Sequence, residues 1–277
     1  MSSAEEPTVD RKAPPNTMFD WLPSARWVMR AFLASQVLLA AAVIVEHGWS
    51  LERLGGKTPI ETVPVAPIAP GDQRRPFKPA TVPARLDLPK SADGPIRLPA
   101  SLPRRLEFSM HETEAFGKVL LVFGQIDDGA AARFNGFIES LDQAPTVIAL
   151  HSPGGSVADA HRIGRTIRRL QHNTLILPNA ACLSACPYVL AGGVERTVSP
   201  HGWVGVHQHS YSSSTVLPAF LAVEGIQDGH GKTLEYLNEM GIDPLVMIHA
   251  LKTPPDDIYL LVPKELQEYR LATRILE

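Results

Sequence analysis

The stretch Val147–Leu170, VIALHSPGGSVADAHRIGRTIRRL, passes from an apolar run through a Gly-rich turn into an amphipathic segment. Val147 to Leu150 reads as a buried strand, because a short uninterrupted apolar run bounded by turn residues suits a strand covered on both faces. Ser156 can cap a following helix that carries Val157, Ala160, Ile163, Ile167 and Leu170 inward and leaves Arg162, Arg165, Arg168 and Arg169 mostly for solvent. Upstream, Val119 to Phe123 (VLLVF) reads as another strand, and Ala130 to Leu141 places Ala131, Phe134, Phe137, Ile138 and Leu141 on one helical face. Downstream come a strand at Thr174–Leu177, a break over Pro178–Ala181, a buried helix from Ala185 to Ala191 ending at Gly192-Gly193, and short strands at Val198 and Trp203–His207. A long stretch of helical period covers Leu217–Met240. Strands alternating with amphipathic helices predict an α/β domain.

The whole chain of 277 residues has a formal net charge of -3, and its basic residues do not gather on the α/β part. The electrostatic footprint of a nucleic-acid binder is therefore missing. Cys182 and Cys186 are the only cysteines, too few for a disulfide scaffold and without the further Cys or His spacing of a zinc site. No metal and no cofactor are expected. In an oxidising compartment the two could join across the turn between them, but two small buried residues is the reading favoured here.

The amino-terminal third has a different texture. Residues 27–49 are expected to form a transmembrane signal-anchor helix: Ala31 to Val45 carries no charge, and extension back to Trp27 gives roughly 19 residues or about 29 Å of helix, just enough to cross a bilayer. Trp27 and Trp49 stand where interfacial aromatics belong, and Arg30 can snorkel. Arg11, Lys12, Arg26 and Arg30 before the span predict a cytoplasmic tail over residues 1–26, with the rest in the periplasm or outside: a single-pass protein of the cytoplasmic membrane. From 50 to 103 prolines recur every few residues and read as a basic linker. The folded domain is expected over residues 104–277.

Two turns could carry chemistry. Ser152-Pro153-Gly154-Gly155 lets backbone N–H groups approach a ligand with no side chain in the way, and Cys182-Leu183-Ser184-Ala185-Cys186 puts a serine at a strand-to-helix turn. Each motif alone also fits a plain tight turn or a helix cap. Together with VLLVFGQIDDGAAARF, LHSPGGSV, ACLSACPYVLAGG, WVGVHQ and DIYLLVPKELQEYRLATRIL, in that order, they resemble the proteolytic subunit of the Clp protease from about Lys118 to the end of the chain.

The resemblance implies a spiral of strand-strand-helix units of the kind shared with crotonases, and a serine endopeptidase. Ser184 takes the place of the nucleophile, His207 of the general base and Asp257 of the carboxylate that orients it. Gly155 and Ala185 take the places of the oxyanion donors, and extended polypeptide substrate would add as a strand beside Gly154 and Gly155. Asp256 competes with Asp257, and His209 and His201 compete with His207, while His151, His161 and His172 read as structural or surface residues. The related membrane-bound signal-peptide peptidases use a lysine base, and no lysine lies between Lys118 and Lys232. The resemblance also implies a homo-oligomer. Because ATP-driven unfoldases do not operate outside the cytoplasm, an ATPase partner is not expected. Two other classes stay open, a catalytically silent interaction module and a crotonase-like acyl-coenzyme A enzyme.

Overall fold

The computed structural model describes residues 24–54, 70, 73–79, 96–99, 101–209 and 219–276. By contacts the chain divides into Met1–Glu61 and Thr62–Glu277. The described residues of the first unit form one helix, α1 (Ala25–Leu54). The expected membrane crossing is corrected here: among the described residues no helix is long and apolar enough to cross a membrane. The described side chains of α1 run from Arg26 to Ala42, where Arg26, Arg30, Ser35 and Gln36 dilute the apolar run. The side chains that would complete the expected span, from 43 to 49, lie outside the described residues, as does the expected tail before 24.

The second unit is α/β with two mixed sheets. In the larger, β2 (Glu107–Thr113) lies antiparallel to β3 (Gly117–Phe123), and β3, β4 (Val147–His151), β5 (Asn173–Ile176), β7 (Arg196–Val198) and β10 (Arg274–Ile275) run parallel, in the order β10-β7-β5-β4-β3-β2. The smaller sheet has the order β1-β9-β8-β6, from β1 (Arg74–Pro76), β9 (Asp257–Leu260), β8 (Trp203–Val206) and β6 (Ala181–Leu183). Twice the chain leaves the large sheet, turns, and enters the small one: β5 leads to β6, and β7 to β8. An isolated bridge from Ser152 to Cys182 ties the end of β4 to β6. These steps bring the carboxyl ends of β4, β6 and β8 together.

The helices form where the apolar spacing predicts, with informative differences. In α2 (Ala130–Glu139) Ala130, Ala131 and Phe134 are buried. Ser156 caps α3 (Val157–Arg169) by accepting from the N–H of Asp159 at 3.3 Å, and Asp159 in turn accepts from the N–H of Ala131 at 3.1 Å, which locks α2 to α3. Leu170, expected inward, is exposed because α3 has ended before it. Arg168, expected in solvent, turns back and donates to the carbonyls of Ala191, Gly192 and Gly193. Those carbonyls close α4 (Cys186–Ala191) and have no partner within so short a helix, so a guanidinium with several donors satisfies them at once.

The stretch read as linker also takes part in the fold. Phe77, Ile96 and Leu98 are each under a tenth exposed, and β1 is an edge strand paired with β9. Proline is tolerated in an edge strand, which is how Pro76 can stand in a sheet. Phe77 joins Ala181, Leu183, Trp203, Ile258 and Leu260 in a small apolar cluster separate from the main core.

In the main core α3, α4 and α5 (Ala219–Glu239) approach one another closely. A Cβ at Gly164 would lie 1.8 Å from the Tyr236 hydroxyl and 2.9 Å from the Tyr188 carbonyl, while Tyr236 is fully buried and donates to that carbonyl at 2.6 Å. Gly164→Ala is expected to lower stability by about 1–3 kcal/mol, the usual cost of overpacking a filled core. Urea unfolding should show it as a lower midpoint at unchanged slope.

Candidate active site

Ser184 stands immediately after β6 and two residues before α4. Its backbone has φ +61°, a left-handed conformation that a residue with a Cβ adopts only under constraint. The constraint is visible. The Ser184 N–H donates to the Gly205 carbonyl on β8 at 2.9 Å, and the Leu183 N–H donates to the Ser152 carbonyl at 3.0 Å. Cys182 and Cys186 are joined by a disulfide that brackets the serine, so the favoured reading of two free small residues gives way to a covalent staple. The hydroxyl is thereby lifted out of the turn, as in strand-to-helix nucleophile elbows generally.

The Gly-rich turn presses against this elbow. A Cβ at Gly154 would fall 2.5 Å from the Ser184 Cβ and 2.8 Å from the Ala185 nitrogen, and Gly154 and Gly155 have φ of +95° and +139°. Only glycine allows both the approach and the backbone angles. Ile126 fastens the turn from behind by donating to the Gly154 carbonyl at 2.8 Å and accepting from the Ser156 N–H at 2.7 Å. The N–H groups of Gly155 and Ala185 make no hydrogen bond among the described residues, so both donors are open beside the serine.

His207, at the end of β8, places Nε2 2.7 Å from the Ser184 Oγ. With the ring proton on Nδ1, the hydroxyl donates to Nε2, the geometry from which a base removes a proton. The imidazole is 7% exposed and lies against Phe77 with ring centroids 5.1 Å apart. Burial pushes its pKa below the ordinary histidine value, and the charge of Asp256 pulls the other way. A neutral imidazole at neutral pH is the form a general base requires.

The structure does not join Asp257 to this pair. Its carboxylate accepts from Arg74 Nε at 2.7 Å, and the buried Nδ1 of His207 has no hydrogen-bond partner among the described residues. Strand register explains the separation. Val206 faces Tyr259 across β8 and β9, so His207 falls opposite Ile258, while Asp257 and Tyr259 point to the other face. Arg74, paired with Tyr259 and two residues from Pro76, meets Asp257 on that other face.

The histidines that competed with His207 or read as structural are held elsewhere. His209 bonds through Nε2 to the Tyr188 hydroxyl at 2.9 Å, and His201 is exposed in its turn. His151 is fully buried, and its Nδ1 accepts from the Ala181 N–H at 2.9 Å. His172 is buried too, with its pKa pushed down by desolvation. His161 stacks on Tyr236 at 4.3 Å between centroids. Among the described residues no three His, Cys, Asp or Glu side chains are grouped to hold a metal ion.

Sequence reasoning missed Phe77 and Arg74, because a Pro-rich stretch gives no periodic signal that it will dock as an edge strand. Compared with protein-family models and with curated proteins, the chain gives no match.

Burial pushes both His161 and His209 down to about 4, helped for His161 by Arg165 and for His209 by His230. Above the ordinary value near 6.5 folded and unfolded chains are both neutral at these positions. As pH falls below it the unfolded chain takes up protons that the folded chain refuses. Stability is expected to fall as pH drops from about 6.5 towards about 4. Denaturant midpoints measured across that range check the slope, and His161→Phe should flatten it.

Proposed function

We propose that this chain is a serine endopeptidase that needs no ATP and cleaves extended or unfolded polypeptide, with Ser184 as nucleophile and His207 as general base. The observation that carries the reading is the 2.7 Å contact between His207 Nε2 and Ser184 Oγ at a left-handed elbow flanked by two open backbone donors. A hydroxyl becomes an effective nucleophile when an imidazole takes its proton as it attacks. The carbonyl oxygen of the scissile bond, turning into an oxyanion, would meet the N–H groups of Gly155 and Ala185, and such donors each lower a barrier by about 3 kcal/mol. His207 would then pass its proton to the leaving amine, and water would repeat the sequence on the acyl-enzyme. The resemblance to the Clp proteolytic subunit supports the same assignment from motif order.

The bond between Cys182 and Cys186 supports an oxidising compartment, outside the cytoplasm. That is also where an enzyme of this kind would act without an ATPase. A homo-oligomer belongs to the same reading, and the exposed Leu245, Ile248 and Leu251 along one helical ridge favour it. A second reading, a catalytically silent interaction module, draws on the unpartnered Nδ1 of His207.

A fluorophosphonate probe followed by peptide mass spectrometry separates the two. The expected result is one covalent adduct, on Ser184, abolished in Ser184→Ala and reduced at least about 10³-fold in rate in His207→Ala, in line with loss of a triad base. Hydrolysis of an unfolded casein substrate should fall in parallel. A folded wild-type chain that neither labels nor cleaves would favour the silent module.

A further inference from the structure

Three features around His207 stand apart from the Ser184 contact: a buried ring nitrogen with no partner among the described residues, two adjacent aspartates, and an edge strand drawn from the Pro-rich stretch. We propose that Asp256 is the positioning residue that orients His207, and that Asp257 serves the fold by fastening the edge strand through Arg74. The inference rests on the peptidase reading and changes which carboxylate serves it.

The geometry begins with register. Gly205 faces Leu260 and Val206 faces Tyr259, so the antiparallel pairing sets His207 opposite Ile258. Residues directly opposite share a face, and residues two apart along a strand share it too. Asp257 falls on the reverse, while Asp256 stands in the turn just before β9, where its backbone is tied to Phe77, the residue against the His207 ring. For Asp257 to reach Nδ1 the chain would have to slip by one residue, turning Ile258 and Leu260 out of their apolar cluster. Asp256 has an exposed side chain that no hydrogen bond or ion pair holds among the described residues, and its charge already acts on the imidazole.

The backbone at Asp256 is held ready. Its carbonyl accepts from the Phe77 N–H at 2.7 Å, and the Asp257 N–H closes the turn onto the Pro254 carbonyl at 3.0 Å. Phe77, whose ring covers the imidazole, and Asp256 are thus linked through one hydrogen bond. Beyond it, Gln73 Nε2 donates to the Leu260 carbonyl and to Glu265, pinning the strand at its other end. The charged and titratable groups on the elements packed against His207 include Asp256, Asp257, Arg74, Arg75, Lys78 and His209. Arg74 pairs with Asp257, and the charge of Asp256 acts on the imidazole.

When Ser184 gives its proton to Nε2 the imidazole becomes a cation, and a carboxylate at Nδ1 both fixes the tautomer beforehand and stabilises that cation. A nitrogen left buried and unbonded would make the same transfer costly. Substrate that excludes water from the site would draw the exposed Asp256 carboxylate inward.

The test uses the full chain and two readouts. Rates of fluorophosphonate labelling are measured against pH for wild type, Asp256→Asn, Asp256→Glu, Asp257→Asn and Arg74→Gln. Asp256→Asn should label at least about 10²-fold more slowly, with its acidic limb moved to lower pH and partial rescue by Asp256→Glu, while Asp257→Asn and Arg74→Gln stay within about threefold. NMR titration of the ¹³C-labelled imidazole supplies the second readout, in which only the Asp256 variants should move the His207 pKa. Loss of rate and a moved pKa in Asp257→Asn, with Asp256→Asn unchanged, would overturn the proposal. So would indifference of both readouts to either aspartate. If wild type does not label at all, the peptidase reading fails, and the titration alone still decides which aspartate governs His207.

Discussion

A serine held with its backbone in the left-handed region sits at the junction of everything else. That conformation costs on the order of 1–3 kcal/mol for a residue with a side chain, so it persists only where neighbours leave no alternative. At Ser184 they are four: the Gly205 carbonyl that takes its N–H, the bridge from β6 to Ser152, the disulfide around it, and Gly154 packed on its Cβ. They come from the ends of β4, β6 and β8. The two-sheet arrangement, in which the chain twice steps from the large sheet to the small one, is what delivers them to one place. Were the turn to relax to an ordinary conformation, the hydroxyl would leave His207 and the Ala185 N–H would turn from its present direction.

The polar chemistry of the site depends on how dry it is. Phe77 closes one side of the imidazole, and the small cluster of Leu183, Trp203, Ile258 and Leu260 lies beneath. Burial strengthens interactions inside the site and keeps His207 neutral, but it also makes an unbonded nitrogen expensive. Arg74 and Asp257 lie outside this dry region, half or partly exposed, where an ion pair contributes little to stability and serves mainly to set register. The same pair of residues thus separates two carboxylates that are neighbours in sequence into two environments.

Much of the fold was legible because its strands are buried on both faces and its helices have one apolar face. VLLVF, VIAL and TLIL needed no context, and Ser156 announced the start of α3. The elbow and the Gly-rich turn were legible as motifs, and their meeting is a consequence of topology that no local pattern encodes. Three things could not be read. The edge strand at Arg74–Pro76 has too many prolines to signal itself, and the bond from Cys182 to Cys186 depends on a turn geometry that spacing leaves open. The choice between Asp256 and Asp257 depends on pairing register, where one residue reverses the face. The apolar run near the amino terminus misled in the opposite sense, since length suggested a span that the described part of α1, with its two arginines, does not meet.

The central claim is that a reacting carbonyl at Ser184 has its oxygen received by the main chain on both sides. A crystal structure of the chain with a peptide boronate measures this directly. The account predicts a tetrahedral adduct on the Ser184 Oγ, with one boronate oxygen within about 3 Å of the N–H groups of both Gly155 and Ala185. An adduct whose oxygens point away from both donors, or a boronate that binds without bonding to Ser184, would contradict it.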